Sequence, residues 1–198
     1  MQVAGVSIDL AAASQAGRVV LVEGGSDKAA VEVLAARRGQ VLGEAGLLVV
    51  AMGGATSIGH FLALLGPRGI GARLTGLCDA GQEGHVRRAL AHAGLGSEAA
   101  GISLEALGFY VCTADLEDEL IRAVGTDAVE HIIRAEGELR SLRTFQRQPA
   151  QQGRTAAEQL HRFMGTRSGR KARYARLLAA ALDLNQLPGP LDGVLTHA

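Results

Sequence analysis

Apolar positions along this chain fall into short unbroken runs, and helical-period stretches separate them. Arg18-Val-Val-Leu-Val-Glu23 closes on a carboxylate followed by Gly24-Gly25, the pattern of a strand covered on both faces. Ser26 suits the N-cap of the next helix and Asp27 its first turn, with Ala29, Ala30, Val33 and Leu34 at helical spacing. Leu47–Ala51 is a second such strand, Gly53-Gly54 a turn, and Ser57–Leu65 a helix. Arg73–Cys78 is a third strand ending at Asp79, followed by a helix over Gln82–Ala93. Gly108–Cys112 is a fourth strand, with a helix over Asp115–Val124 after it.

Strands that alternate with helices imply βαβ crossovers. The expected fold is α/β: a mainly parallel four-stranded sheet flanked by helices. Ligand sites in such sheets gather at the carboxyl ends of the strands. Glu23, Asp79 and the acids after Cys112 all fall there.

The alternation stops near residue 125. Asp127–Gly137 reads as helix, 139–155 as a polar loop or linker, and Ala156–Met164 and Ser168–Leu182 as two more helices. Leu187-Pro-Gly-Pro190 is expected to end the regular structure. The division is then an α/β domain over 1–124 and a helical extension over 125–198 that packs on it.

Charge sharpens this division. The 198 residues carry 20 basic and 20 acidic side chains, a net charge of zero. Yet residues 1–133 hold 15 acidic and 9 basic residues, net −6, and 134–176 hold 11 basic and 3 acidic, net +8. An acidic body with a basic extension points to an anionic partner, or to pairing of the two within the chain. Lysine occurs only at Lys28 and Lys171.

Several carboxylates at one sheet edge repel, by about 4 kcal/mol for a pair ~4 Å apart at an effective dielectric of 20. They demand a cation, a proton or distance, and oxygen donors suit Mg²⁺ or Mn²⁺. On the helix after Asp115, Leu116, Leu120, Ile121, Ala123 and Val124 share the apolar face. Glu117 falls within that face, so it needs either a metal or a buried salt bridge. Asp115 is an N-cap or a ligand; Asp118 and Glu119 point the other way, towards solvent. Lys171 shares a face with Tyr174, Ala175, Leu178 and Leu182, from which its ammonium either snorkels or enters a site.

Other chemistry is thin. Cys78 and Cys112 fall in strands and read as core. The six His are dispersed, with no zinc-type spacing. No apolar run reaches the ~18 residues of a membrane span, and no leader-like start is present. A cytoplasmic protein is expected. Gly53-Gly54-Ala-Thr-Ser-Ile-Gly59 is either a tight turn or a phosphate-holding loop, with Thr56 or Ser57 as contact or cap.

Val20-Leu-Val-Glu-Gly-Gly-Ser-Asp27, Leu77-Cys-Asp79 and Asp115-Leu-Glu-Asp-Glu-Leu120 together resemble a toprim domain. That catalytic fold is shared by topoisomerases, primases and the OLD (overcoming lysogenization defect) nucleases. Ser168-Gly-Arg-Lys-Ala-Arg-Tyr174 resembles the late basic motif of the OLD type. The toprim-like part spans about 17–124, and the OLD-like additions reach about 182.

The resemblance implies metal binding by Glu23, Asp27, Asp79, Asp115 and Glu117, with Glu119 a further candidate. It implies Lys171 as a transition-state stabiliser, with Glu23 and Asp79 also catalytic. The activity implied is a Mg²⁺- or Mn²⁺-dependent nuclease or related phosphoryl transferase acting on nucleic acid, DNA first. The alternative is a non-catalytic module that binds nucleic acid or a separate ATPase subunit. No Gly-x-x-x-x-Gly-Lys-[Ser/Thr] loop occurs in the chain. Many toprim domains carry Asp-x-Asp on the aspartate strand, where this chain reads Asp79-Ala80-Gly81. Candidate phosphate-backbone contacts are Arg143, Arg147, Arg154, Arg167, Arg170 and Arg173. Candidate phosphate-loop residues are Gly53, Gly54, Thr56 and Ser57.

Overall fold

A computed structural model of the chain describes residues 2–3, 6–7, 9–43, 46–96 and 101–197. A short antiparallel pair, β1 (Gln2–Val3) and β2 (Val6–Ser7), precedes helix α1 (Leu10–Gln15), which Asp9 caps through its carboxylate. The chain then alternates β3 (Arg18–Val22), α2 (Gly25–Arg37), β4 (Leu47–Ala51), α3 (Ile58–Leu65), β5 (Leu74–Asp79), α4 (Glu83–Ala93) and β6 (Phe109–Cys112). Six helices follow: α5 (Leu116–Val124), α6 (Thr126–Ala135), α7 (Leu139–Gln146), α8 (Ala156–Met164), α9 (Arg170–Ala181) and α10 (Gly189–Thr196).

The sheet order is β4-β3-β5-β6 and every pairing is parallel. Both faces are covered, which explains the unbroken apolar runs. Val19 and Leu21 pack with α3 and α4, whereas Val20 and Val22 pack with α2, α5 and the C-terminal helices. Gly76 is where the sheet is tightest: a Cβ there would lie 2.7 Å from the Phe109 ring and 2.9 Å from the Leu21 carbonyl. Cys78 and Cys112 are buried and unbridged, and burial pushes both thiols up, as expected of core residues.

The second half shares its core with the first. Leu142, Leu160, Phe163, Tyr174, Leu178 and Leu191 join Val20, Leu34 and Leu116 in one cluster, and α9 lies along α2. This packing carries Lys171 to the carboxyl edge of the sheet.

Three local expectations are corrected. The 139–155 stretch is α7 followed by a 3₁₀ turn over Pro149–Gln151, because Leu139, Leu142 and Phe145 form a narrow apolar seam inside a basic sequence. Pro188 and Pro190 do not end the structure. They open α10, where a missing N–H costs nothing. Gly193 lets α10 lie against β6, since a Cβ there would sit 2.1 Å from Tyr110. Finally, α2 is capped at Gly24 rather than Ser26: the Gly24 amide donates to Asp27 Oδ2 at 2.8 Å.

Candidate metal centre

The parallel register sets the acids at one edge. Asp79 ends β5 opposite Cys112, and Glu23 follows the last residue of β3. The Gly53-Gly54 turn after β4 secures that end, with φ of 74° and 132° that only glycine takes readily. The Gly54 amide donates to the Glu23 carbonyl at 3.1 Å, so in this segment it serves the tight turn and holds Glu23. Thr56 is exposed and Ser57 lies in the 3₁₀ turn before α3, where it donates its amide to Gly54.

Asp27 projects from the first turn of α2. Burial pushes its carboxyl up to about 6, against the charge-favouring Gly24 amide, and the charges of Glu117 and Glu23 add to the rise. Burial, reinforced by Glu23, Asp115 and Asp27, pushes Asp79 up to about 6 as well. Glu23, Asp27, Asp79, Asp115 and Glu117 therefore act on one another as a single cluster, drawn from β3, α2, β5 and α5.

Asp115 is the N-cap of α5, its Oδ1 accepting from the Asp118 amide at 2.9 Å. Its Oδ2 lies 2.6 Å from His161 Nε2 on α8. Burial opposes the Asp115 charge, yet the His161 and Asp118 hydrogen bonds hold its carboxyl below the usual range. The same hydrogen bond raises His161.

Glu117 is 1 % exposed, as its place on the apolar face required. Lys171 Nζ stands 3.0 Å from its Oε2, and Oε1 has no hydrogen-bond partner. Of the two alternatives for Glu117, the buried ion pair is present, and one oxygen remains open to a further partner. Lys171 enters the site instead of snorkelling away. Burial disfavours its charge, but Glu117, Asp115 and Asp27 outweigh that and hold the ammonium above its ordinary range.

Donor atoms of Asp115, Glu117 and His161 lie within 4.8 Å of one another, a spacing that one cation can span. Raised acids, a buried carboxylate short of donors and mostly oxygen ligands fit a divalent ion such as Mg²⁺ or Mn²⁺.

Two expected residues are employed elsewhere. Glu119 is buried rather than solvated: its Oε1 accepts from the Thr113 amide at 2.8 Å and its Oε2 pairs with Arg122 at 2.6 Å, so it pins the β6–α5 turn. Arg170 is 5 % exposed; its guanidinium lies over the Phe163 ring at 4.2 Å and bonds Phe163 O, Thr166 and Glu138, so no phosphate reaches it. Arg143 forms a two-pronged pair with Glu130 (2.9 and 2.5 Å), and Arg173 pairs with Glu136 and Glu138. Arg147, Arg154 and Arg167 are exposed, with no acidic partner among the described residues. Part of the +8 segment therefore answers the protein's own acids, and part faces solvent.

His161 is the residue that sequence reasoning missed. It sits at the edge of the α8 seam formed by Leu160, Phe163 and Met164, and nothing in its spacing separates it from the other five His.

An all-parallel β4-β3-β5-β6 sheet with this acid cluster at its carboxyl edge defines a toprim-type α/β domain, a fold associated with metal-dependent nucleic-acid chemistry. Residues 16–80 match the family model described as "Overcoming lysogenization defect protein-like, TOPRIM domain". The fold extends well beyond that segment. The C-terminal region of the Burkholderia pseudomallei OLD protein superposes with a TM-score of 0.66 at 17 % identity, over 91 % of this chain and 95 % of that one. The C-terminal region of the Xanthomonas campestris pv. campestris OLD protein gives a TM-score of 0.66 at 23 % identity, over 92 % and 91 %. Residues 16–80 thus resemble an OLD-like toprim domain, and the chain as a whole has the fold of the C-terminal region of OLD proteins. No curated protein sequence matches it. Among the described residues no helix is long and apolar enough to cross a membrane.

Proposed function

We propose that this chain is a divalent-metal-dependent nuclease that cleaves phosphodiester bonds in nucleic acid, with DNA as the expected substrate. The observation that carries the reading is Lys171 standing 3.0 Å from the buried Glu117, with Asp27, Asp79 and Asp115 close enough to act on the ammonium. Glu23, Asp27, Asp79, Asp115 and Glu117 would hold Mg²⁺ or Mn²⁺. Such ions activate a water and stabilise the leaving oxygen in phosphoryl chemistry. Lys171 would donate to a phosphate oxygen as negative charge builds in the transition state. The Asp27–Gly24 and Asp115–Asp118 hydrogen bonds fix two of the carboxylates on rigid helix starts. Arg147, Arg154 and Arg167 would contact the backbone, with Arg143 and Arg173 joining where their pairs open. Thr56 and Ser57 remain candidate phosphate contacts beside Glu23.

Plasmid incubated with Mn²⁺ or Mg²⁺ should be cut by the intact protein and left intact by Glu23→Ala and Asp79→Ala. Equal cleavage by all three proteins would remove the catalytic assignment.

Gly81 favours a second reading, a non-catalytic module that binds nucleic acid or a separate ATPase subunit. The position lies on an exposed turn, and a Cβ added there meets nothing within 4 Å. An acid is therefore absent where one would fit. Gly81→Asp should raise cleavage several-fold if the centre is active and short of a ligand. A protein inert both before and after this change supports the module.

A further inference from the structure

We propose that His161 is a metal ligand, and that it makes the Asp115/Glu117 position select a transition ion of the Mn²⁺ class over Mg²⁺. This rests on the metal-dependent reading above and adds to it the identity of one ligand and the ion it favours.

Three observations carry it. First, His161 reaches the cluster from α8, far from the strand-end acids in sequence, yet its Nε2 lies 2.6 Å from Asp115 Oδ2. The Nε2 edge of the ring thus faces the carboxylates. Second, the Nε2, Asp115 and Glu117 donor atoms fit within 4.8 Å of one another, so a single cation can touch all three. Third, Glu117 is 1 % exposed and its Oε1 has no hydrogen-bond partner, so Lys171, which sits by Oε2, leaves it under-coordinated.

Ion preference follows from the donor set. Mg²⁺ demands near-ideal octahedral oxygen coordination and sheds water reluctantly. An imidazole nitrogen suits first-row transition ions better than Mg²⁺, and among them Mn²⁺ shares with Mg²⁺ the preference for carboxylate oxygen that the other ligands supply. His161 thus adds a nitrogen donor to a set that is otherwise carboxylate oxygen.

The test reads binding, not turnover. Titration calorimetry of the intact chain should show Mn²⁺ bound at least ~10-fold more tightly than Mg²⁺. In His161→Ala and His161→Asn the Mn²⁺ affinity should drop by ~10-fold or more while Mg²⁺ affinity changes little. Pulsed EPR of the Mn²⁺-loaded wild-type protein should show a ¹⁴N hyperfine coupling that vanishes in both variants. Far-UV circular dichroism confirms that each variant is folded, and the wild-type ¹⁴N signal needs no variant at all. Mn²⁺ bound without a ¹⁴N coupling overturns the inference and leaves the nuclease reading intact. Failure to bind either ion at millimolar concentration overturns both.

Discussion

Lys171→Ala should lower metal-dependent cleavage by about 10²–10³-fold, the usual loss when one donor to a developing charge is removed. The same change has a second, separable effect. Glu117 stays almost fully buried and loses the ammonium 3.0 Å from its Oε2. Breaking a fully buried pair costs ~3–5 kcal/mol. The Lys171 side chain is 49 % exposed, so water replaces part of what is lost and about 1–2 kcal/mol is expected here. For a chain of this size that is a fall in Tm of ~2–8 °C, measured with chelator present. Glu117→Gln in the Lys171→Ala background should recover most of the melting temperature and none of the activity. If the double variant melts as low as the single one, the ion pair is not what Lys171 contributes to stability.

Arg170→Ala should be the most destabilising arginine substitution in the basic segment. It removes a guanidinium stacked on Phe163 and takes one donor each from Phe163 O, Thr166 and the Glu138 carboxylate. Glu138 is then held only by Arg173 and the Tyr174 hydroxyl, which lies 2.9 Å away. A loss of about 3 kcal/mol, or ~6–12 °C in Tm, is expected. Arg147→Ala and Arg167→Ala should leave Tm unchanged. Each should instead reduce the slope of log K against log salt for nucleic-acid binding by about one. A salt slope that responds to Arg170 and ignores Arg147 and Arg167 would reverse this division of labour.

The sheet was legible because its strands are buried on both faces. Runs such as Val19–Val22 and Leu47–Ala51 have no competing explanation, and their ends mark the site. Glu117 was legible for a related reason: a carboxylate on an apolar helix face advertises its need for a partner. Less followed where one face of a helix is only two or three residues wide. Leu139, Leu142 and Phe145 are diluted by arginine, so α7 looked like a linker. Glu119 was placed in solvent because helical phase knows nothing of the Thr113 amide bent back above it. Arg170 and Arg143 were counted as free cations because pairing with Glu138 or Glu130 is a tertiary fact. His161 joins the acids only through the docking of α8 on α5, which no local pattern encodes.

The order of the site's parts along the chain has a consequence for when it comes into being. The carboxylates at 23, 27, 79, 115 and 117 all leave the ribosome before the imidazole at 161 and the ammonium at 171. A nascent chain that has laid down its sheet thus holds mutually repelling acids with no resident counter-cation. The Lys171 ammonium and the His161 ring arrive only when α9 and α8 dock against α2 and α5. Assembly of the chemical centre is a closing event of folding, so interrupted or truncated copies carry the acids without the groups that would put them to work.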